Sequence, residues 1–344
     1  MRTRRLLGLA AAVIAAVSIS ACSSAAPSGS GDAGGSGSGN DATGAFPVTI
    51  EHAFGKTIIE QQPKRIATVG WTSQEVPLAL GIAPVGMAKI TWGDDNGNGM
   101  MPWVEDKLAE LKAPTPKLYD ETDGVDFEAV AATKPDVILA AYSGITKEDY
   151  RTLSKIAPVV AYPHTAWGTS LDDLVRMDSE AIGKKAEGEA LLKRLHEESA
   201  ASLAKHPKLA NAKVLIANID PKNLSQVTIY TSHDTRPRFL KELGLPEPAI
   251  VTEESKKTDA FFATVSAEAA DRFSDVDLIV SAGTPDLLKR MQADPLLNKI
   301  PAVANGRVAI LPDASPLAVS ASPSPLSIGW GVDRYFDALS APLQ

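Results

Sequence analysis

The stretch Phe127-Glu128-Ala129-Val130-Ala131-Ala132-Thr133-Lys134-Pro135-Asp136-Val137-Ile138-Leu139 contains a complete helix–strand unit. A short helix with an acidic first turn is ended by Lys134-Pro135, and a continuous aliphatic run follows. Such runs, alternating with helices, are typical of a mostly parallel sheet covered by helices on both faces. This stretch therefore predicts an α/β fold.

A similar unit occurs in the second half of the chain. Ala267 to Phe273 reads as a short helix with Glu268 in its first turn, and Asp277 stands directly before the aliphatic run 278–280. An acidic residue at a helix start also has a simple structural explanation, because it interacts favourably with the helix dipole by about 0.3–1 kcal/mol. The faint repeat predicts two equivalent lobes.

The same alternation of strand and helix extends over both halves of the chain. The predicted strands are 48–52 and 56–59 (a hairpin), 66–69, 84–87, 137–140, 159–162, 214–217, 278–280 and 308–311. Between the halves, a helix begins after Ser170, and a second helix over 184–206 would be about 34 Å long. We therefore expect an α/β protein with two Rossmann-like lobes and mostly parallel sheets, joined by a single long α-helix.

The N-terminus has the pattern of an exported lipoprotein. Three arginines precede the apolar run 6–17, and Ile19-Ser20-Ala21-Cys22 has the form of a lipobox. The run is too short to span a bilayer as a mature helix. We predict a lipoprotein signal peptide over 1–21 and lipidation (palmitate) at Cys22. An ordinary cleaved secretory signal with an incidental cysteine is the alternative.

The rest of the chain divides by composition and pattern. Residues 22–46 are rich in Gly and Ser and predict a flexible tether. We expect an N-terminal lobe over 47–167, an inter-lobe helical segment over 168–207 and a C-terminal lobe over 208–344. The formal net charge of -8 argues against nucleic-acid binding. No nucleophile elbow, Walker loop, dinucleotide fingerprint or zinc motif occurs in the sequence, so we do not expect an enzyme.

Several stretches, in their order and spacing, resemble a known family. They are Pro63-Lys64-Arg65-Ile66-Ala67-Thr68-Val69, Gly81-Ile82-Ala83-Pro84-Val85-Gly86, the stretch 127–138 and Ile156-Ala157-Pro158-Val159-Val160. The chain is similar to the substrate-binding lipoproteins of bacterial ABC importers for iron–siderophore complexes, whose relatives carry haem and cobalamin.

This resemblance implies that a ferric siderophore is captured between the lobes and delivered to an importer permease. The protein would act as a monomer anchored through Cys22 to membrane lipid on the extracytoplasmic face of the cell membrane. The Fe(III) would arrive with the ligand, with no intrinsic cofactor. The resemblance also implies that Glu128 and Glu268 dock against arginines of the permease. Haem or cobalamin binding, or a surface interaction without a small ligand, are the alternatives.

The candidate ligand-binding residues follow predicted strands or lie at a helix start. Ligands of open α/β sheets bind beyond the carboxyl ends of the strands, and a bulky chelate needs aromatic walls with guanidinium or hydroxyl donors. The candidates are Trp71, Thr72, Lys89, Trp92, Tyr142, Ser143, Trp167, Tyr230, Arg236 and Arg238. Core packing is the alternative for each tryptophan and is favoured for Trp103. We expect no protein ligand to the iron, because the five histidines lack ligand spacing.

The segment Asp94 to Glu105 matches the spacing of an EF-hand calcium loop. Asp94, Asn96, Asn98 and Glu105 would supply the side-chain ligands. No helix is predicted before the segment, and Pro102 stiffens its ninth position. We therefore favour a mobile polar loop at the rim of the cleft over a calcium site.

Overall fold

The first lobe is built on a parallel five-stranded sheet in a computed structural model that describes residues 46–344. Its strands are β3 (Ile66–Thr68), β4 (Gly86–Ala88), β5 (Lys117–Tyr119), β6 (Val137–Ala140) and β7 (Val159–Ala161), in the order β5-β4-β3-β6-β7. An antiparallel hairpin of β1 (Val48–His52) and β2 (Gly55–Ile59) precedes the sheet. The helices of this lobe are α1 (Glu75–Ala79), α2 (Pro102–Glu110), α3 (Phe127–Ala132) and α4 (Lys147–Leu153). The predicted signal peptide, Cys22 and the tether up to residue 45 lie outside the described residues.

Two adjacent helices, α5 (Leu171–Ala181) and α6 (Lys185–Leu203), follow the first lobe. They are antiparallel, since Asp172 at the start of α5 contacts His196 of α6 at 2.7 Å. Gly183, with a φ of +74°, lies at the break between them. The long connecting helix is present, but it has 19 residues and not the predicted span 184–206. The short α7 (Pro207–Ala210) begins soon after α6 ends.

The second lobe contains a mixed five-stranded sheet. Its strands are β8 (Val214–Asn218), β9 (Gln226–Tyr230), β10 (Phe262–Ser266), β11 (Leu278–Gly283) and β12 (Val308–Pro312), in the order β10-β9-β8-β11-β12. β8, β11 and β12 are parallel, whereas β9 runs antiparallel to β8 and β10. The sequence did not predict β5, β9 or β10. Two lobes with mostly parallel sheets are confirmed.

The helices of the second lobe complete the fold. They are α8 (Thr235–Glu242), α9 (Ala249–Ser255), a 3-10 helix (Ala267–Phe273), α10 (Leu287–Ala293), a 3-10 turn (Leu297–Lys299), α11 (Pro301–Ala304), α12 (Pro316–Ser320), α13 (Ser327–Ser340) and a final 3-10 turn (Ala341–Leu343). The chain then returns to the first lobe, because Val319 of α12 packs in one cluster with Met87 and Trp103. None of the helices within residues 46–344 combines the length and apolarity of a membrane span.

The repeated Asp before a strand has the same structural role in both lobes. The Asp136 carboxylate accepts hydrogen bonds from the backbone N–H groups of Lys64 and Arg65, at 3.0 and 2.7 Å. The Asp277 carboxylate accepts one from the backbone N–H of Lys213 at 2.9 Å. Asp136 thus ties the start of β6 to the start of β3, and Asp277 ties the start of β11 to the start of β8.

Candidate functional site

A cavity of about 680 Å³ lies between the two sheets, where the loops after their strands face each other. Four of its aromatic side chains come from the first lobe and two from the second. They are Trp71, Trp92, Tyr142 and Trp167, and Tyr230 and Phe261. Arg236 of α8 also lines the cavity. A cavity of this volume between two lobes is typical of a small-molecule site.

The turn after β6 positions the aromatic wall of the first lobe. The backbone N–H of Trp71 donates to the carbonyl of Tyr142 at 2.9 Å, and that of Trp167 donates to the carbonyl of Ser143 at 3.0 Å. The rings of Tyr142 and Trp167 meet edge to face, with centroids 5.9 Å apart. Two consecutive carbonyl groups therefore hold both tryptophans beside the tyrosine.

The backbone around this wall is closely packed and strained. Gly70 has a φ of +78°, and a Cβ at this position would lie 2.5 Å from the Cβ of Ser143. Thr72 and Trp167 adopt φ values of 59° and 61°, a left-handed region that residues other than glycine rarely occupy. Strain of this kind persists only where the surrounding structure enforces it, and it concentrates at binding sites.

Arg236 is held rigidly in the wall of the second lobe. Its Nε and Nη2 atoms donate to the two carboxylate oxygens of Asp234, each at 2.7 Å. Its guanidinium carbon lies 3.4 Å from the centroid of the Tyr230 ring. Burial opposes the charge of Arg236, but the hydrogen bonds and charge of Asp234 outweigh it and raise the pKa of the guanidinium. Within the described part of the chain, no hydrogen bond from Nη1 of Arg236 is present.

The cavity holds more negative than positive charge. Asp220, Asp234 and Asp313 line it together with the single cation Arg236, whose charge the fully buried Asp234 already balances. Burial and the charge of Asp234 raise the pKa of Tyr142 to about 12. The phenol is therefore neutral near pH 7 and can donate a hydrogen bond.

The other predicted ligand-binding residues lie at different distances from this cavity. Lys89 and Ser143 line a second cavity of about 260 Å³, which also contacts Trp71 and Trp167. Thr72 is buried in the turn after β3 and lines neither cavity. Arg238 lines neither cavity as well.

The sequence predicted that Arg236 and Arg238 both contact a ligand, and the structure places Arg238 outside the lining of both cavities. Its guanidinium donates to the backbone carbonyls of Gly168, Ser232 and His233, at 3.2 to 3.4 Å. These carbonyls turn the side chain toward the loop before α5 and the loop before α8. Arg238 therefore positions loops around the cleft, and Arg236 is the guanidinium at its wall.

The EF-hand-like segment folds upon itself. The Asp94 carboxylate accepts hydrogen bonds from the backbone N–H groups of Asn96 and Gly97, at 3.1 and 2.9 Å. The side-chain amide of Asn96 donates to Glu105 at 2.8 Å. Among residues 46–344, no group of three or more His, Cys, Asp or Glu side chains could hold a metal ion.

The packing role favoured for Trp103 is confirmed. Its side chain is buried, and its indole N–H donates to Glu75 at 2.7 Å. Its ring lies against that of Trp330, with centroids 5.0 Å apart. This pair lies in a core cluster of the first lobe and lines a groove away from the main cavity.

Sequence reasoning missed three residues that shape the site. Phe261 precedes β10, a strand that was not predicted. Asp234 is the N-cap of α8, and its place two residues before Arg236 was an available signal. Glu121 follows β5, and its contact with Gly70 joins positions far apart in sequence.

Comparison with known proteins identifies the fold family. Residues 66–314 match the family model described as periplasmic binding protein. The chain belongs to the periplasmic binding protein family. The crystal structure of Streptococcus pneumoniae TIGR4 PiaA in complex with ferrichrome superposes with a TM-score of 0.82 at 44% identity, over 86% of this chain and 98% of that one.

Two further relatives are more distant in sequence. The Fe(3+) dicitrate-binding periplasmic protein FecB of Escherichia coli (strain K12) is 24% identical over 77% of this chain and 82% of its own length. A probable siderophore-binding lipoprotein of Bacillus subtilis (strain 168), YfiY, is 27% identical over 67% of this chain and 66% of its own length.

Proposed function

We propose that this protein captures a ferric siderophore in the cleft between its lobes and delivers it to an ABC importer. The observation that carries the proposal is the cavity of about 680 Å³ with six aromatic side chains and one fixed guanidinium. Aromatic walls suit the apolar surface of a chelate, and Arg236 and Tyr142 offer donors to its oxygen atoms. The ferrichrome complex of the similar PiaA supports this ligand class.

The charge of the cavity favours an electrically neutral chelate. Three hydroxamate groups neutralise Fe(III), whereas catecholate and citrate complexes remain anionic. Arg236 is already balanced by Asp234, and Asp220 and Asp313 add further negative charge at the cavity. An anionic complex would meet net repulsion in this partly enclosed space. A ferric hydroxamate of the ferrichrome type is therefore the proposed ligand, ahead of ferric citrate.

Glu128 and Glu268 are proposed to dock on the permease. Both side chains are exposed. Glu128 lies in the first turn of α3, which leads into β6, and Glu268 lies in the first turn of the 3-10 helix that leads into β11. β6 and β11 each pair with the first sheet strand of their lobe. Anions at these corresponding positions would register both lobes on basic permease sites.

Anchoring to the membrane through Cys22 is part of the proposal. The lipobox at residues 19–22 is the supporting feature, and it lies outside the described residues. The similar YfiY is named a probable siderophore-binding lipoprotein, which is consistent with such an anchor. The anchor would keep the binding protein at the extracytoplasmic face, close to the permease.

Titration of tryptophan fluorescence tests the proposed function. Three tryptophans line the cleft, so a bound ferric chelate should quench their emission. We expect saturable quenching by ferrichrome and quenching by ferric citrate only at higher concentrations, because citrate should bind more weakly. The iron-free chelator should cause no quenching. Stronger quenching by haem or cobalamin would assign the protein to those ligands. The absence of any response would favour a surface interaction without a small ligand.

A further inference from the structure

A second cavity lies at the carboxyl edge of the first sheet, beside the main cleft. It has a volume of about 260 Å³ and is bordered by loops that follow all five strands of that sheet. It lies beyond the carboxyl ends of β3 and β6. The chain adds β4 and β5 on one side of β3 and then adds β6 and β7 on the other side, so the strand order reverses between β3 and β6. This switch point is the general position for ligands in open α/β sheets. Trp71 and Trp167 line both cavities.

The wall of the second cavity contains a carboxyl group with only one of its two oxygen atoms in a hydrogen bond. Oε2 of Glu121 accepts a hydrogen bond from the backbone N–H of Gly70 at 2.9 Å. Oε1 is buried in the wall and has no hydrogen-bond partner within the described part of the chain. An unpaired buried acceptor is costly. Because Oε1 has almost no accessible surface, the carboxyl group must rotate toward the cavity before a donor on a ligand can remove that cost.

The other charged groups at this cavity should affect a bound ligand group less than Glu121 does. Lys89 is exposed, and its positive charge also interacts with the nearby carboxylate of Asp120. Asp149 already accepts hydrogen bonds from the backbone N–H and the hydroxyl of Thr146, both at 2.8 Å. Because Glu121 is the more deeply buried group, its field in the cavity is less screened than that of Lys89.

We propose that this second cavity is a subsite for a hydrogen-bond-donating substituent, an ammonium or hydroxyl group, that a chelate in the main cleft extends past Trp71 and Trp167. Glu121 is its specificity-determining residue. A carboxylate substituent would be rejected by the same group. This inference rests on the proposed function. It adds that the protein prefers one substituent over another among chelates whose iron-binding groups are the same.

The test uses two ferric hydroxamates that differ only at the substituent. Ferrioxamine B carries a pendant ammonium group, and its N-acetylated form replaces that group with a neutral amide. Near pH 8.5 Glu121 is ionised, because burial raises its pKa only to about 7. We expect wild-type protein to prefer the ammonium form by about tenfold, the effect of one charge-assisted hydrogen bond.

Glu121→Gln should remove most of this preference and retain an acceptor for the Gly70 N–H. Glu148→Gln, at an exposed carboxylate on α4, is the matched control and should keep the preference. An undiminished preference in Glu121→Gln would overturn the subsite. Binding of ferrichrome but of neither ferrioxamine would overturn the subsite alone, whereas binding of no ferric hydroxamate at all would overturn the proposed function.

A second measurement needs no variant. Near pH 7, binding of the ammonium form should release protons from Glu121, because the new positive charge favours its ionised state. Calorimetry in buffers of different ionisation enthalpy measures this release. The acetylated form should release none, and equal release by the two forms would contradict the assignment of Glu121.

Discussion

Glu75 of the first lobe accepts a hydrogen bond from the backbone N–H of Leu326, 3.0 Å away and 251 positions later in the chain. Its other carboxyl oxygen accepts one from the indole N–H of Trp103 at 2.7 Å. Burial raises the pKa of Glu75 to about 7, although hydrogen bonds from Ser324, Trp103 and Leu326 lower it. One buried carboxyl group thus ties α1 to the chain just before α13.

Glu75→Gln should therefore destabilise the protein. Glutamine offers one acceptor to two N–H donors, so one buried donor loses its partner, and the free energy of unfolding should fall by about 1–3 kcal/mol. Urea unfolding measures this change. Glu110→Gln is the control, because the exposed Glu110 forms only a surface ion pair with Lys107. Equal stability of the two variants would contradict the role of Glu75.

Asp178 of α5 should make stability depend on pH. It is fully buried, neither of its carboxyl oxygens has a hydrogen-bond partner among residues 46–344, and burial raises its pKa well above the ordinary value of 3.8. The folded protein therefore holds this proton more tightly than the unfolded chain. The resulting stability is present below the ordinary pKa and is lost as pH rises through the folded pKa.

Asp178→Asn cannot ionise and should remove this dependence. The unfolding free energy of Asp178→Asn minus that of wild type should be larger at about pH 8 than at about pH 4. The increase should be about 1.4 kcal/mol for each unit by which folding raises the pKa of Asp178 within this range. Urea unfolding at both pH values measures the difference. Asp123→Asn, at an exposed position, should show no such trend. A difference that does not vary with pH would show that Asp178 does not titrate in this range.

The central strands of the first sheet were predictable because they are buried on both faces. Val137–Ala140 forms β6 as predicted, because a central strand covered by helices is a continuous apolar run. β9 was missed although Gln226–Tyr230 alternates exposed or half-buried residues with buried ones, a pattern that is typical of an antiparallel strand. β5 was missed because it is a three-residue edge strand that begins with an exposed lysine.

The candidate site was predictable only where a residue follows a strand or starts a helix. Arg236 could be found from its place at the start of α8. The role of Arg238 could not, because its three carbonyl partners come together only in the folded chain. The contact of Glu121 with Gly70 likewise depends on β5 lying two strands from β3, which local sequence does not encode.

Gly70→Ala should disrupt the aromatic wall of the first lobe. The new Cβ would lie 2.5 Å from the Cβ of Ser143, and the positive φ of +78° adds backbone strain. Together these effects should cost about 2–5 kcal/mol of unfolding free energy and displace Trp71, which weakens ferrichrome binding.

Gly81→Ala is the matched control for this variant. Gly81 has a similar φ of +82°, but no atom lies within 4 Å of its added Cβ. It should lose only about 1–2 kcal/mol and keep the affinity for ferrichrome. Thermal unfolding and fluorescence titration of both variants make the comparison. Equal effects at the two positions would refute the packing argument at Gly70.

Arg236→Lys should weaken ferrichrome binding about 10- to 100-fold. Lysine keeps the charge but cannot form the paired hydrogen bonds to Asp234 or lie flat over the Tyr230 ring. Calorimetric titration measures the affinity. Arg151→Lys, at an exposed site on α4, should bind as wild type. Unchanged affinity in Arg236→Lys would exclude the guanidinium geometry as a determinant of binding.

Glu128→Gln and Glu268→Gln should separate ligand binding from transport. Both residues are exposed and line neither cavity, so ferrichrome affinity in solution should not change. Uptake of labelled ferrichrome by cells should fall in each variant and fall further in the double variant, because each anion registers one lobe on the permease. Glu148→Gln and Asp271→Asn remove exposed charges from the same lobes as controls. If these controls lower uptake equally, general surface charge and not specific docking at Glu128 and Glu268 governs delivery.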